Sequence, residues 1–149
     1  MSSIINRFDG PYAFLSNFSA SPVVMEGMTY PTVENAFQAA KTLNKELRVQ
    51  FTRCSPNYAK RLGRRVDLRP DWEDVKDNVM FSLLEQKFAF GTPLANALIR
   101  TQGAYLCEGN TWHDNHFGAC TCDRCLYVEH HNVLGMSLMR IRENLLQSL

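Results

Sequence analysis

The sequence predicts an α+β fold, mainly helical with a small β-sheet, in a single domain spanning residues 1–149. Apolar residues recur at helical spacing in several segments, and one short pair of β-prone runs flanks a two-residue turn. Glycine, proline and capping residues separate these segments. A chain of 149 residues is typical of one domain and can bury roughly 68–70% of its unfolded surface.

The first half of the chain is predicted to hold a β-hairpin and three helices. Glu26 and Gly27 form the turn between strands at residues 23–25 and 28–30. Thr32 would cap the first helix, and Ser55, a cap followed by proline at the first helical position, marks the start of the third. The three helices are predicted over residues 33–44, 45–53 and 56–63.

The second half begins with the longest predicted helix, residues 71–90, whose apolar stripe is Trp72, Val75, Val79 and Leu83. A helix from Thr92 to about Gly103 and a strand at 104–107 follow. Residues 108–131 form a long loop, and such loops in compact domains are usually functional or disordered. Asn132 is expected to cap the last helix, with its stripe at Leu134, Leu138, Ile141 and Leu145, while Arg142 closes a surface ion pair.

Composition restricts the class of protein. A hydrophobic content of 45% and a charged content of 21% exclude extended disorder. The net charge of +1 gives no global electrostatic case for nucleic acid or membranes. A local basic run, which either serves phosphates or is a solvated helix end, consists of Lys60, Arg61, Arg64, Arg65 and Arg69.

Location and redox state follow from two further observations. The N-terminal residues contain no signal-peptide core, and no segment approaches the roughly 18 apolar residues of a membrane span. The odd number of cysteines, five, favours reduced thiols over a disulfide framework. We therefore expect a cytoplasmic protein, with Cys54 and Cys107 as small apolar core residues.

The first predicted helix carries an unusual polar stripe. At 100° per residue, Glu34, Gln38 and Lys41 fall within about 60° of one another around the axis. Their neighbours are small or apolar, so an acid and a lysine would face an enclosed space, which is typical of a functional site. The alternative is a structural ion pair at a helix edge.

Several motifs occur in a fixed order along the chain. They are Phe14-Leu-Ser-Asn-Phe18, Pro31-Thr-x-Glu34-x-x-Phe-Gln-Ala-x-Lys41, Gly63-Arg64, Trp72, Trp112-His-Asp114, Phe117-Gly118 and Asn132-x-Leu-Gly-x-x-Leu-Met-x-Ile-Arg142. Together they resemble the NADAR family, the YbiA-like N-glycosidases, over residues 8–143. The resemblance implies hydrolysis of the bond between ribose and a nitrogen of a base or base-like heterocycle.

The family motifs contain three residues with candidate catalytic roles. Glu34 and Asp114 could stabilise the oxocarbenium-like state or act as acid and base. For Asp114 the alternative is a loop turn or cap. Lys41 would attack the ring-opened sugar to form a Schiff base, or would instead bind a phosphate or pair with Glu34.

The expected substrate-binding residues are Phe14, Asn17, Gln38, Arg64, Trp72, Phe117 and Gly118. Phe14 and Phe117 would sandwich a base and Asn17 would contact its edge, although the family usually has tryptophan in place of Phe117. Arg64 has the planar fork that suits a phosphoryl group. Trp72 either stacks on the base or packs in the core. Gly118 permits close backbone approach, as it would in any turn.

The loop 108–131 also contains the thiols Cys120, Cys122 and Cys125, with four histidines nearby, His113, His116, His130 and His131. Three thiolates and one imidazole would form a closed tetrahedral zinc site. The alternative is a thiol-rich loop without metal, because the spacing lacks the separated ligand pairs of most zinc folds.

The resemblance leaves two substrate types open: ribosylamino-pyrimidine phosphates of riboflavin synthesis, and ADP-ribose on the guanine of nucleic acid. Neither needs a redox cofactor. The competing hypothesis from another class is a non-catalytic module that binds ADP-ribose or NAD. Intact Glu34, Lys41 and Asp114 favour the enzyme, since binding alone would not need all three.

Overall fold

The computed structural model describes residues 3–149, which form two compact units. The middle unit is Asn17–Lys87, and the terminal unit combines residues 3–16 with Phe88–Leu149. Among the described residues the α-helices are α1 (Val33–Ala39), α2 (Lys45–Phe51), α3 (Pro56–Gly63), α4 (Trp72–Lys87), α5 (Pro93–Ile99) and α6 (Val133–Gln147). The strands are β1 (Ser3–Ile5), β2 (Val23–Met25), β3 (Met28–Tyr30), β4 (Ala104–Leu106), β5 (Gly109–Asn110) and β6 (Ala119–Cys120).

These elements confirm the predicted α+β class, dominated by helices. The strands of residues 3–149 pair as three separate two-stranded sheets rather than as one small sheet. Short 3₁₀ helices at Gly10–Leu15 and Asp123–Cys125, and the strands β1, β5 and β6, were not predicted. These pieces are two to six residues long, too short for hydrophobic periodicity to reveal them.

The hairpin of the middle unit forms as predicted. Strand β2 pairs antiparallel with β3, with Val23 opposite Tyr30 and Met25 opposite Met28. Glu26 has φ of 49° and Gly27 has φ of 84°. A two-residue turn with positive φ at both positions matches the right-handed twist of the two strands. The Gln86 side chain of α4 accepts from the Val24 amide at 2.8 Å and donates to the Val24 carbonyl at 2.6 Å, and so fixes the hairpin to that helix.

Helix α1 is buried on every side, since all seven of its residues are buried. Thr32 caps it as predicted, because the Oγ1 atom accepts a hydrogen bond from the Asn35 amide at 3.1 Å. The Asn35 side chain donates to the carbonyls of Phe51 and Cys54, each at 2.9 Å. A polar residue in the core thus fixes α1 against the end of α2.

The prediction that this first helix reaches residue 44 was wrong, since it ends at Ala39. Asn44 caps α2 instead, with its side chain accepting from the Leu47 amide at 3.1 Å and its backbone extended at φ −76° and ψ 112°. An N-cap residue cannot have helical dihedral angles, so the two helices cannot be continuous. Lys41 consequently lies beyond the end of α1.

Helix α3 matches its prediction, with Ser55 as its cap, whereas α2 ends two residues early, at Phe51. Helix α4 is shorter than predicted at both ends. Its buried residues are Trp72, Met80, Leu83, Leu84 and Lys87, while Val75 and Val79 are half-buried. The predicted stripe was therefore wrong at two of its positions, because α4 buries residues 80, 83, 84 and 87 on one face instead.

Lys87 is the unexpected member of that buried face, with an exposed fraction of 3%. Its Nζ atom donates a hydrogen bond to Ser19 Oγ at 2.8 Å. Burial disfavours the charged form and lowers the pKa of Lys87 to about 7.

In the terminal unit, β1 pairs in parallel with β4, and β5 pairs in parallel with β6. Helix α6 packs on β4 and on α5, and its predicted stripe of Leu134, Leu138, Ile141 and Leu145 is buried. No helix in residues 3–149 combines the length and the apolar character that crossing a membrane requires.

Asn132 occupies the N-cap position of α6 but does not act as a cap. It is left-handed, at φ 48° and ψ 44°, and its side chain makes no bond to the first turn. The amide group instead donates to the Leu106 carbonyl at 2.9 Å and to the Tyr105 hydroxyl at 3.4 Å, and it accepts from the Glu108 amide at 3.0 Å. Asn132 therefore joins α6 to the end of β4.

Arg142 does not close the predicted surface ion pair. Its guanidinium donates to the carbonyl of Thr101 at 2.9 Å, to the Thr101 hydroxyl at 3.0 Å and to the carbonyl of Ala104 at 2.9 Å. These bonds satisfy backbone carbonyls in the segment that follows α5. The order of charged residues in the sequence does not reveal this role of Arg142.

We predict that Asn132→Ala lowers the free energy of unfolding by about 1–3 kcal/mol, because buried backbone groups lose their partners and alanine is strained at positive φ. The exposed Asn144 of the same helix supplies the control, since surface substitutions usually stay within about 0.5 kcal/mol. Urea denaturation measures both variants. Equal losses at the two positions would contradict the role given to Asn132.

We also predict a pH effect from Lys87. The unfolded chain binds a proton at the ordinary lysine pKa, whereas the folded chain has released it above about pH 7. Between those two values the unfolded state binds more protons, so the free energy of unfolding should rise with pH, by at most about 1.4 kcal/mol per unit. Lys87→Met should remove this rise in urea denaturation from about pH 7 to 9. Parallel curves for the two proteins would refute the prediction.

Candidate functional site

The middle unit places a carboxylate and two amides together around α1. Glu34 lies in the first turn, and Gln38 one turn later donates from Nε2 to Glu34 Oε1 at 2.9 Å. The Glu34 backbone amide donates to the Asn17 carbonyl at 3.1 Å. Both side chains of the bonded pair are buried, with exposed fractions of 7% for Glu34 and 5% for Gln38. A charged group this enclosed is unusual outside a site or an ion pair.

Two acceptors in this group have no hydrogen-bond partner among the described residues: the side-chain oxygens of Asn17 and Gln38, both buried. Nearly all buried polar atoms in native proteins are paired, so each of these atoms calls for an explanation. The Asn17 nitrogen points to Met80 Sδ at 3.4 Å, a weak acceptor. The pattern suits side chains whose donors come from a bound ligand.

The structure explains Gly63, which the motif named without a role. A Cβ atom at this position would overlap the Gln38 amide, because the backbone of α3 lies directly against Gln38 Oε1. Only glycine allows that approach without displacing the side chain that binds Glu34.

Lys41 is half-buried just after α1, and its carbonyl accepts from the Arg69 amide at 2.7 Å. Burial lowers the pKa of Lys41; the nearby charge of Glu34 opposes this, and the charges of Arg64, Lys60 and Lys76 add to it. The predicted lysine is therefore electrostatically adjacent to Glu34 although it lies outside the helix. A lowered pKa increases the fraction of neutral, nucleophilic amine.

The other predicted residues of the middle unit differ in exposure. Arg64 is exposed at the end of α3, where a guanidinium can reach a phosphate. Trp72 has an exposed fraction of only 6%, and its ring lies 5.1 Å from that of Phe37. The packing of Trp72 favours the core alternative over stacking on a base.

In the terminal unit, Asp114 forms the loop turn considered as its alternative role. Its Oδ1 atom accepts from the amides of His116 at 3.1 Å and Phe117 at 2.9 Å. The Asn110 side chain holds the same residue from the other side, donating to the Asp114 carbonyl at 2.8 Å and accepting from its amide at 3.2 Å. Asp114 is thus held in position by backbone bonds that use one of its two carboxylate oxygens.

The remaining predicted residues of the terminal unit surround this turn or lie apart from it. Phe117 is half-buried, with its ring edge-on to His116 at 4.7 Å. Gly118 is buried where a Cβ atom would overlap Glu108. Phe14, in the 3₁₀ helix, packs edge-on to Phe88 at 6.5 Å. The structure therefore groups Glu34, Gln38, Lys41 and Asn17 in the middle unit, and Asp114, Phe117 and Gly118 in the terminal unit.

The loop 108–131 brings the three predicted thiols onto one histidine. His113 Nδ1 lies 3.7 Å from Cys120 Sγ, 3.3 Å from Cys122 Sγ and 3.4 Å from Cys125 Sγ. All four donor atoms lie within 4.8 Å of one another, so this thiol cluster could hold a metal ion. Of the four histidines considered, His113 is the one that joins the cysteines.

The other cysteines lie outside the cluster. Cys54 and Cys107 are half-buried rather than core residues, and burial raises the pKa of each thiol. All five cysteines are free thiols. The only sequence signal for His113 as the fourth ligand is its position directly before Asp114. Sequence spacing alone does not choose among the four nearby histidines.

Comparisons with known proteins agree with these features. The chain is 38% identical to N-glycosidase YbiA of Escherichia coli over 148 residues, which covers 96% of this chain and 89% of that protein. It is 33% identical to the chloroplastic riboflavin biosynthesis protein PYRR of Zea mays, covering 91% of this chain and 24% of that protein.

The solved NMR structure of E. coli YbiA superposes with a TM-score of 0.81 at 35% identity, over 99% of this chain and 88% of that one. The relatives named N-glycosidase confirm the predicted enzyme class, a hydrolase of N-glycosyl compounds. The model of the NADAR domain matches residues 5–146, and with the 38% identity to YbiA this match shows that the chain belongs to the NADAR domain family.

Proposed function

We propose that the protein hydrolyses the N-glycosidic bond between a ribose and a nitrogen of a base-like heterocycle. One observation carries the proposal: a buried carboxylate, Glu34, is held by Gln38 next to two buried amide oxygens that have no partner among the described residues. Ribose hydroxyls are the donors that such oxygens would accept. The names of the N-glycosidase relatives support the reaction class.

In this proposal Glu34 handles charge and protons at the sugar. Cleavage develops positive charge on the ribose, and a carboxylate held by an amide inside a low-dielectric site stabilises that charge more strongly than it would in water. The Gln38 bond keeps the carboxylate oriented, because its Nε2 group donates and cannot accept. We assign Asp114 the second carboxylate role, with the oxygen that its turn does not use.

Lys41 supplies the nucleophile. Ring opening of the N-linked ribose yields a C1 iminium, to which the neutral lysine amine adds. The heterocyclic nitrogen then takes a proton and leaves, and a lysine–C1 imine remains. Water adds to this imine and releases the free sugar and the lysine. The lowered pKa of Lys41 supports this route, because attack requires the unprotonated amine.

The substrate is proposed to carry phosphate. The charges of Arg64, Lys60 and Lys76 act on Lys41 although the net charge of the protein is only +1, and of these three Lys76 also pairs with Glu73. Ribosylamino-pyrimidine phosphates and ADP-ribose attached to guanine both satisfy this chemistry. The riboflavin-related name of the maize protein supports the former, and the small net charge also favours a small substrate over a nucleic acid.

The proposal assigns no redox cofactor to the reaction. A metal ion in the thiol cluster would have four protein ligands and no open position for water or substrate, so zinc there would be structural rather than catalytic. We further propose that residues 1–149 act as one domain, since one family model spans parts of both units. Five free thiols support a reducing, cytoplasmic location.

The test is to incubate the protein with each of the two substrate types and to follow sugar release by mass spectrometry. Glu34→Gln should reduce turnover by about 10²–10⁴-fold while leaving the fold intact, because it removes the charge and the basic function. The matched control is Glu46→Gln, an exposed glutamate in the first turn of α2, which should keep wild-type turnover. Near-normal turnover of Glu34→Gln would remove Glu34 from the mechanism, and release from neither substrate would refute the reaction.

Lys41 gives a separate prediction. Borohydride added during turnover should reduce the imine and leave the sugar bound to the protein, and peptide mapping should place the added mass on Lys41. Lys41→Arg should abolish trapping, since a guanidinium stays protonated. Lys45→Arg, at an exposed position of α2, should trap as the wild type does. If active enzyme yields no adduct, water attacks the sugar directly and Lys41 only binds phosphate.

A further inference from the structure

We propose that His113, Cys120, Cys122 and Cys125 bind one zinc ion, and that this ion holds the loop carrying Asp114 in its active position. The first half stands on the geometry of the four side chains. The second half rests on the proposed function, because it concerns the role of Asp114.

The distances in the cluster match those of a metal centre. Zinc bonds of about 2.3 Å to sulfur and 2.0–2.1 Å to nitrogen, at tetrahedral angles, place the sulfur and nitrogen ligands roughly 3.6 Å apart. The three distances from His113 Nδ1 to the sulfurs are 3.7, 3.3 and 3.4 Å. The donor set of three soft thiolates and one imidazole is the one that zinc selects.

Hydrogen bonding does not account for this arrangement. The Nδ1 atom of a neutral imidazole offers one lone pair or one N–H, so it can satisfy only one thiol at a time. The structure nevertheless brings three thiols to it. A disulfide does not account for it either, because pairing two of the three cysteines would leave the third thiol and the histidine unexplained.

The backbone at His113 supports the same reading. His113 is left-handed, with φ of 69°, a conformation that costs a residue other than glycine free energy and persists where the surroundings enforce it. An ion that binds its imidazole and three thiolates would supply that constraint.

Further hydrogen bonds hold the backbone around the cysteines. The Asn115 side chain accepts from the Cys120 amide at 2.8 Å, and the Asn115 carbonyl accepts from the His131 amide at 2.8 Å. The Cys125 amide donates to the Cys122 carbonyl at 3.1 Å. Outer-shell bonds of this kind orient metal ligands.

The loop needs a cross-link because it has almost no apolar core. Among residues 108–131 the buried ones are Asn110, Gly118, Cys120 and Cys125, so two of the four belong to the cluster. The large apolar side chains of Leu126, Tyr127 and Val128 are exposed, by 63%, 95% and 47%. Ordering a segment of this length costs conformational entropy that so little burial cannot offset, whereas metal binding can.

The link to Asp114 is covalent and short. His113 precedes Asp114 directly, and the Asp114 carboxylate accepts from the amides of His116 and Phe117. A fixed imidazole therefore defines one end of the turn that orients the carboxylate. Without zinc, the turn would keep only its local hydrogen bonds.

The first measurement is the metal content of the purified full-length chain. The wild type should keep about one zinc per chain after dialysis against a weak chelator, whereas Cys122→Ser and His113→Ala should lose most of it. Cys107→Ser is the matched control, a half-buried thiol of the same unit outside the cluster, and should retain zinc like the wild type. Asn115→Ala should bind zinc about 10–100-fold more weakly.

A second measurement uses the wild type alone, so it does not depend on the folding of variants. Cobalt exchanged for zinc should give the intense visible bands of a tetrahedral ion together with thiolate charge-transfer absorption. A wild-type protein that holds no zinc and gives no such spectrum would overturn the metal site, and so would a disulfide among these cysteines.

The positioning half is tested by amide hydrogen exchange, which needs no substrate. Removing zinc should speed exchange of the His116 and Phe117 amides by at least about tenfold, while the amides of α1 in the middle unit should not change. Unchanged exchange at these two amides would refute the positioning role.

The outcomes separate this inference from the proposed function. A zinc-loaded protein that cleaves neither substrate would refute the N-glycosidase proposal and support the metal site. A metal-free protein with full turnover would refute the metal site and support the N-glycosidase proposal.

Discussion

The burial of α1 is the constraint on which the rest of the middle unit depends. All seven side chains of this helix are buried, yet three of them are polar: Glu34, Asn35 and Gln38. Each buried polar group destabilises the fold unless it is paired. Asn35 finds its partners in the carbonyls of Phe51 and Cys54, and so fixes the end of α2. Glu34 and Gln38 pair with each other, and glycine at position 63 makes room for them. The same helix thus uses one polar residue for architecture and places the other two in the candidate site.

The terminal unit differs, because its candidate functional segment, the loop 108–131, has little regular secondary structure. Asn132 and Arg142 satisfy the backbone on either side of β4, and together they anchor α6 to the strand. Between β4 and α6 the chain has little apolar material to bury, so local bonds to Asn110, Asp114 and Asn115 shape the loop. Three thiols gathered on one imidazole complete this set of constraints. Order in this segment therefore depends on polar side chains, and on the proposed metal site, rather than on a hydrophobic core.

The sequence predicted those features whose cause is local. Turn residues at 26 and 27, the caps Thr32 and Ser55, and the apolar stripe of α6 all act within a few residues, and the structure confirms them. The errors have non-local causes. The sequence predicts Asn132 as a cap, because its bond to the end of β4 appears only in the folded chain. Lys87 belongs to a helical face at positions 80, 83, 84 and 87, and only tertiary packing shows that this face is buried. The candidate site divides in the same way: Glu34 and Gln38 share a face by helical spacing, whereas the choice of His113 among four histidines needs the folded loop.

The electrostatics around Lys41 restrict how a phosphate can assist the reaction. The charges of Arg64, Lys60 and Lys76 help to lower its pKa, so they favour the neutral amine that the proposed mechanism requires for attack on the sugar. A phosphate bound between these cations and the lysine would cancel their effect and raise the pKa again. With Lys41 as the proposed nucleophile, the phosphate would therefore have to bind at the exposed Arg64, and the ribose next to the buried Glu34. In the proposed function, the exposed arginine and the enclosed carboxylate would thus set the direction in which a phosphorylated riboside enters.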